Sequence, residues 1–266
     1  MLKGSFEYIK EKIGDLTPDT AVILGSGLGG LVDSLTDAII IPYKDIPDFP
    51  QTTVAGHSGC FYVGRIGTHI LICMQGRFHF YEDIAPQLVS QIIFLFKQLG
   101  VRQIFITNAA GSLRKSMPEG SIMLIKDHIN LSGRTPLIGR HAEPYFPDMS
   151  EAYSPKLAKK FKQIAKENKI KIYEGVYVML LGPNYETPSE VKLLCHSGIM
   201  DAVGMSTAPE VIASVHQGIE VLAVSVISNL ANGLSKHKPD HKDVLRVVGK
   251  SAKTLGMLLR QLLEKE

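Results

Sequence analysis

The chain has 266 residues, of which 45% are hydrophobic and 21% are charged, and its net charge is +3. This is the composition of a globular protein with a substantial core, and so small a charge excess argues against nucleic-acid binding. Three cysteines without a Cys-x-x-Cys spacing argue against a disulfide framework or a zinc site, and no apolar run approaches the roughly 18 residues that a membrane span needs. We therefore expect a cytoplasmic protein that has no metal site and contacts neither nucleic acid nor membrane.

Short apolar runs separated by glycines dominate the first half of the chain, after an amphipathic N-terminal helix. Strands are predicted at residues 21–24, 38–41, 60–63, 68–74, 103–107 and 121–125, with the third and fourth forming a β-hairpin. A brief helix or turn is predicted at residues 31–35 and a long amphipathic helix at residues 84–99, which Gly100 ends. Residues 131–153 are rich in Gly, Pro and Arg and predict an irregular segment.

Helices and strands alternate in the second half. Helices are predicted at residues 155–168, 188–196, 207–217 and 240–265, and strands at residues 172–179, 201–206 and 221–227. This alternation, together with one hairpin, predicts an α/β fold in which a mixed central β-sheet is flanked by helices on both faces. No linker or internal repeat interrupts the chain, so we expect a single domain over residues 1–266.

A proline-bounded loop, Gly182-Pro-Asn-Tyr-Glu-Thr187, leads directly into one predicted helix. Thr187 is predicted as the N-cap and Glu190 as its capping-box partner, so the helix does not require Tyr185 or Glu186. A carboxylate and an aromatic ring projecting from such a loop suit a flat heterocycle. A solvated Glu beside a half-buried Tyr explains the same residues equally well.

The glycine run Gly25-Ser-Gly-Leu-Gly-Gly30 follows a predicted strand and satisfies G-x-G-x-x-G. The pattern is compatible with a dinucleotide-binding turn, but the helix after it is too short for a βαβ crossover. The same glycines could form a phosphate nest with Ser26 supplying a hydroxyl, or a tight structural turn. No Lys follows in the G-K-[ST] arrangement, which excludes a P-loop.

Cationic and phenolic side chains alternate after the hairpin. An extended chain places Arg77, His79 and Tyr81 on one side, where they could hold an oxyanion. The alternative is that Arg77 only pairs with Glu82 or Asp83.

Small or polar residues also end three later strands. The segment Thr107-Asn-Ala-Ala-Gly-Ser112 allows close approach of a ligand, and Ser206 lies before a helix N-terminus that we predict to be capped by Thr207 in a capping box with Glu210. Asn229 ends the most apolar strand with an amide that both donates and accepts. Side chains that donate to anions and side chains that can hydrogen-bond the edge of a base thus occur together at strand ends. This combination suggests a site that binds a phosphate next to a nucleoside.

Seven of these segments occur in one order that resembles the trimeric purine nucleoside phosphorylases over essentially the whole chain. They are Gly25-Ser-Gly-Leu-Gly-Gly30, Ala55-Gly-His57, Gly76-Arg-Phe-His-Phe-Tyr-Glu82, Thr107-Asn-Ala-Ala-Gly111, Gly182-Pro-Asn-Tyr-Glu-Thr187, Val203-Gly-Met-Ser-Thr207 and Ser228-Asn229. The resemblance implies the nucleoside phosphorylase fold, phosphorolysis of purine nucleosides, and a homotrimer. It implies no cofactor, since inorganic phosphate is a co-substrate, and no partner other than nucleoside, phosphate and further copies of the chain.

The resemblance also implies a role for individual residues, with Asn229, Glu186 and His79 as the catalytic ones. Phosphate would be held by Ser26, His57, Arg77, His79, the backbone at Ala109, and Ser206. Purine would be bound by Tyr185, Glu186 and Asn229, and ribose by Tyr81, Met205, His241 and, from the neighbouring subunit, Phe146.

Counting hydrogen-bond donors predicts the preferred base. Glu186 would accept from N1–H of a 6-oxopurine, whereas the N1 lone pair of adenine would face the carboxylate unpaired, so we expect inosine and guanosine as substrates. A xanthosine preference stays open. So do an NAD-dependent oxidoreductase using Gly25 to Gly30, a nucleoside-binding protein without catalysis, and a nucleosidase that uses water.

Overall fold

A computed structural model of the chain describes residues 2–52, 58–139, 143–235 and 241–265. The strands are β1 Thr20–Leu24, β2 Thr36–Pro42, β3 Cys60–Ile66, β4 His69–Gln75, β5 Gln103–Ser112, β6 Ile122–Asn130, β7 Ile172–Met179, β8 Ala202–Gly204 and β9 Glu220–Leu230. The helices are α1 Lys3–Ile13, α2 Pro86–Leu99, α3 Pro155–Glu167, α4 Pro188–His196, α5 Ala208–His216 and α6 His241–Glu264. Short 3₁₀ helices occupy Gly29–Ser34, Tyr43–Asp45 and Phe80–Glu82.

The strands form one mixed sheet in the order β2-β3-β4-β1-β5-β8-β7-β6-β9. Strand β9 also pairs in parallel with β5, so that β5, β8, β7, β6 and β9 close into a ring. Strand β1 joins this ring to the hairpin of β3 and β4 through parallel pairing with β4 and β5. The carboxyl ends of β1, β4, β5 and β9 therefore lie at the same edge, where ligands bind in open α/β sheets.

Two hydrophobic cores lie on opposite faces of the sheet. Along β1, Ala21 and Ile23 belong to one core and Val22 and Leu24 to the other, as the alternation of side chains along a strand requires. Helices α1, α2 and α5 cover the first core, and α3 and α6 cover the second. The predicted fold class, a mixed central sheet with helices on both faces, is confirmed.

Two strands continue further than their apolar runs predicted. Strand β5 was expected to end at Thr107 but continues to Ser112, and β9 continues past Ile227 to Leu230. The reason is that β5 and β9 pair with each other along this stretch, where the partner strand satisfies their backbone groups.

One predicted capping box is present and the other is wrong. At α4, Thr187 Oγ1 accepts from the backbone N–H of Glu190 at 3.2 Å, and the Glu190 carboxylate accepts from that of Thr187 at 2.7 Å. At α5, Thr207 makes no side-chain cap bond, and its φ of +76° lies outside the usual N-cap region. Its hydroxyl instead accepts from Asn108, and Glu210 pairs with Arg77.

Within the described ranges, no helix is both long enough and apolar enough to cross a membrane.

We expect that only a glycine fits at position 25, where the end of β1 packs closely against the backbone of β5. A Cβ at this position would lie 2.7 Å from the carbonyl oxygen of Thr107 and 2.8 Å from Cα of Asn108, both backbone atoms that cannot move independently. We expect Gly25→Ala to lower the free energy of unfolding by about 1–3 kcal/mol, measured by urea denaturation. Gly30→Ala is the control, because a Cβ at Gly30 would meet no atom within 4 Å. Equal stability of the two variants would contradict the claim that the close backbone approach at Gly25 excludes a Cβ.

Candidate active site

A cleft opens at the strand edge described above, with a volume of about 720 Å³ when the open solvent at its mouth is included. It is lined by ten of the residues that the sequence singled out, namely Ser26, Arg77, His79, Tyr81, Ala109, Tyr185, Glu186, Met205, Ser206 and Asn229. They come from six different segments of the chain, each of which follows or ends a strand. Among the other predicted residues, His57 and the side chain of His241 lie outside the described part of the structure, and Phe146 is exposed on the surface and is not among the residues that line this cleft.

A buried guanidinium lines the cleft. Arg77 is 2% exposed; its Nη1 donates to Ser206 Oγ at 2.9 Å, and its Nε lies 3.2 Å from the Glu210 carboxylate. The alternative in which Arg77 pairs with Glu82 or Asp83 is therefore wrong. Nη2 is buried and has no hydrogen-bond partner among the described residues. A buried donor of this kind suits an anion, since Arg binds oxyanions through parallel N–H bonds.

His79 lies beside Arg77 and is oriented by a carboxylate behind it. Its Nδ1 and its backbone nitrogen both lie 2.9 Å from Glu82 Oε1, so Nδ1 carries the proton that faces the carboxylate. The Tyr81 ring stacks on the imidazole with centroids 4.7 Å apart. Burial raises the pKa of Tyr81 to about 12, so the phenol stays neutral and can donate.

The turn that carries Ser206 is strained. Thr207 has φ +76° and ψ −53°, and the N–H of Ala208 donates to the carbonyl of Ser206 at 2.9 Å, which defines a classic-type γ-turn. For a β-branched residue this conformation costs on the order of 1–3 kcal/mol. Side chains hold the turn: Asn108 Nδ2 donates to Thr207 Oγ1 at 2.8 Å, and Tyr177 Oη accepts from the Ser206 N–H at 3.3 Å.

A carboxylate and an amide also line the cleft. Glu186 is 7% exposed, and Asn232 Nδ2 fixes its backbone by donating to its carbonyl at 2.7 Å. Burial raises the pKa of Glu186 above its usual value, and the nearby charge of Glu190 raises it further. Ser228 Oγ donates to Asn229 Oδ1 at 2.7 Å, which identifies Oδ1 as the acceptor and Nδ2 as the donor end of that amide.

Several polar residues around the cleft were not predicted from the sequence. Glu210, Glu82, Asn108, Tyr177 and Asn232 each hold a predicted site residue or its loop. A signal existed for Glu210, because it is an acidic residue on an otherwise apolar helix whose other buried residues form the core. Glu82 and Asn108 lie inside motifs that the sequence singled out, although their partners were not predicted. Tyr177 and Asn232 have no such signal, because their partners lie far away in sequence.

Among the residues that the structure describes, no group of three or more His, Cys, Asp or Glu side chains is arranged to hold a metal ion.

The buried Arg77–Glu210 pair is expected to contribute strongly to stability. Glu210→Gln leaves a buried cation without its counter-charge, which should lower the free energy of unfolding by about 3–5 kcal/mol in phosphate-free buffer. Glu174→Gln is the matched control, because the Glu174–Lys162 pair is exposed and should contribute about 0–1 kcal/mol. Urea denaturation of both variants checks this, and a loss for Glu210→Gln as small as the control's would refute it.

Comparison with known proteins places this chain in a family. The Phosphorylase superfamily matches residues 19–264. Purine nucleoside phosphorylase 1 of Geobacillus stearothermophilus is 45% identical over 252 residues, which cover 94% of this chain and 91% of that protein. Purine nucleoside phosphorylase of Schistosoma mansoni in complex with inosine superimposes with a TM-score of 0.93 at 38% identity, covering 100% of this chain and 96% of that one. A Schistosoma mansoni structure in complex with adenosine also gives 0.93, at 39% identity and 99% and 96% coverage. The chain belongs to the Phosphorylase superfamily.

Proposed function

We propose that this protein is a purine nucleoside phosphorylase that cleaves 6-oxopurine ribonucleosides and deoxyribonucleosides with phosphate. The observation that carries the proposal is the chemistry of one cleft, which is lined by both a buried guanidinium and a buried carboxylate. We assign the guanidinium to one end of the cleft and the carboxylate to the other. The products are a free purine and a pentose 1-phosphate, and the reaction is reversible.

The guanidinium end fits inorganic phosphate, the co-substrate of this reaction. Arg77 and Ser206 are already joined by a hydrogen bond, and Ser26 and the backbone at Ala109 line the same part of the cleft. His79, whose Nδ1 proton faces Glu82, can donate from Nε2 to phosphate when the ring is doubly protonated. We assign His57 to this group by family resemblance alone.

The carboxylate end fits a 6-oxopurine. Glu186 accepts from N1–H, and from the 2-amino group of guanine, while Asn229 Nδ2 donates to N7. Tyr185, which is 36% exposed at the rim of the cleft, covers the base. Ser228 and the carbonyl of Leu230, to which Nδ2 donates at 3.0 Å, orient the Asn229 amide, and the second Nδ2 proton serves N7 without a reorientation of the side chain.

The pentose is assigned to the space between these ends. Tyr81 and Met205 line it, and we assign the 5′-hydroxyl to His241. Phe146 is 86% exposed and its ring contacts that of Tyr145 at 4.9 Å, so this aromatic pair is suited to burial against another copy of the chain. We therefore propose a homotrimer in which Phe146 completes the ribose site of the neighbouring subunit.

The two ends stabilise opposite charges as the glycosidic bond breaks. The electron pair of that bond moves into the purine, where Asn229 stabilises the negative charge that develops towards N7. Positive charge builds on the pentose, and phosphate, held by Arg77 and Ser206, stabilises it and then bonds to the anomeric carbon. These interactions strengthen along the reaction coordinate, which is what lowers the barrier.

Turnover of inosine should depend on phosphate and exceed that of adenosine. We expect kcat/KM for adenosine to be lower by more than about 100-fold, because its N1 lone pair would oppose the Glu186 carboxylate. The Schistosoma mansoni relative was solved in complex with adenosine, so binding of adenosine would not test this prediction. The quantity to measure is therefore turnover. Base release is followed with each nucleoside, with and without phosphate. Inosine cleavage without phosphate would indicate a nucleosidase, and equal use of adenosine would overturn the role of Glu186.

Glu186→Gln is expected to lower activity and raise stability together. It replaces the charged carboxylate that accepts from N1–H by a neutral amide, whose single oxygen is a weaker acceptor, so kcat/KM for inosine should fall about 10²- to 10³-fold. Because burial raises the pKa of Glu186 in the folded state above its unfolded value, the ionised carboxylate destabilises the fold at high pH. The Tm of Glu186→Gln should therefore exceed that of the parent at pH 8, and the difference should vanish as the pH falls below about 4, near the unfolded pKa.

Glu190→Gln is the control for that pH dependence. Hydrogen bonds from the backbone and side chain of Thr187 lower the pKa of Glu190, so its ionised form stabilises the fold above the unfolded pKa. This variant should lose Tm at pH 8 and recover the parent value as the pH falls. The same sign of change in both variants would show that the shift does not come from the burial of Glu186.

A further inference from the structure

We infer that the hydrogen bond between Asn108 and Thr207 positions the Ser206 hydroxyl in the phosphate site. Neither residue is predicted to touch phosphate itself, so both are positioning residues. The inference rests on the proposed function, because it concerns the affinity for the phosphate co-substrate.

The bond joins two separate elements in the interior. Asn108 lies in β5 and is 1% exposed, and Thr207 precedes α5 and is 0% exposed. Their side chains meet at 2.8 Å across 99 positions of sequence. The Asn108 amide makes no other side-chain bond in the described part of the chain, where its Oδ1 is buried without a partner. The amide is therefore committed to Thr207.

Thr207 needs such a partner because of its backbone. It is the central residue of the γ-turn, a conformation that a β-branched residue rarely adopts. Strain of this kind persists only where surrounding contacts hold it. Without the bond from Asn108, the turn is free to relax towards an ordinary helix start, in which the direction of the preceding residue changes.

The preceding residue is Ser206. Its hydroxyl accepts from Arg77 Nη1 at 2.9 Å, and the same nitrogen lies 3.5 Å from Thr207 Oγ1. The γ-turn thus sets where the hydroxyl meets the guanidinium. On the other side of the bond, Asn108 immediately precedes Ala109, whose backbone we assign to phosphate. One hydrogen bond consequently fixes the spacing between two parts of the phosphate site that come from β5 and α5.

The test compares KM for phosphate with KM for inosine. Thr207→Val keeps the size and branching of the side chain but removes the hydroxyl, and we expect KM for phosphate to rise about 10- to 100-fold, as a displacement of about 1 Å in a site produces. KM for inosine should stay within about twofold, because no hydrogen bond among the described residues joins Glu186 or Asn229 to this turn. Thr207→Ser keeps the hydroxyl, and its KM for phosphate should lie within about threefold of the parent value.

Ser225→Ala is the control, because it removes a buried hydroxyl that takes no part in the bond between Asn108 and Thr207. Ser225 lies opposite Asn108 in β9, is 0% exposed, and its Oγ has no partner among the described residues. It should leave both KM values unchanged. Thr207→Val could lower Tm and either raise the KM for phosphate and the KM for inosine equally or leave both unchanged. In either case Asn108 and Thr207 are only structural, and the inference is wrong.

A double-mutant cycle with Asn108→Ala decides the case where one variant is poorly folded. If both residues act through one bond, the double variant should raise KM for phosphate no more than the larger single effect. Additive effects would overturn the inference. Its failure is distinct from failure of the proposed function, because the latter would appear in the unmodified protein as inosine cleavage that does not depend on phosphate.

Discussion

The burial of Arg77 is the constraint on which the rest of the site depends. A guanidinium that is 2% exposed would be strongly destabilising unless its charge were compensated. Glu210 compensates the charge from the first turn of α5, and Ser206, just before that helix, takes a second N–H. The segment after β4 is thereby joined to α5, elements more than a hundred residues apart. Because Nη2 still lacks a partner in the described structure, the arrangement leaves capacity for an anion.

The second end of the cleft involves a compromise between stability and function. Glu186 is buried beside another acidic residue, and both effects raise its pKa and oppose its ionised form. In the proposed reaction the purine N1–H compensates the charge of this carboxylate. A buried carboxylate also explains discrimination, since a base that presents a lone pair in place of the matching donor would oppose it.

The closed ring of strands gives these groups rigid support. Strand β5 pairs with β1, β8 and β9, and three of its consecutive residues face the site or its loops. Thr107 Oγ1 accepts from the N–H of Gly25 at 3.1 Å, Asn108 donates to Thr207, and Ala109 lines the cleft. The glycine loop after β1 and the turn before α5 are both anchored to one central strand, and groups held in this way need little reorganisation when substrate binds.

Apolar periodicity, glycine turns and the Thr187 capping box were sufficient to predict the α/β class, nearly all the elements and the cap of α4, because these features depend on neighbours within a few residues. Ordered motifs likewise predicted ten of the residues that line the cleft. Tertiary structure alone decided the closure of the ring through β5 and β9, the pairing of Arg77 with Glu210 in place of Glu82, and the γ-turn at Thr207 in place of a second capping box. The reason is the same in each case. A strand end, a charge or a hydroxyl can be satisfied by many partners, and only the packing of distant segments determines which of them is within reach.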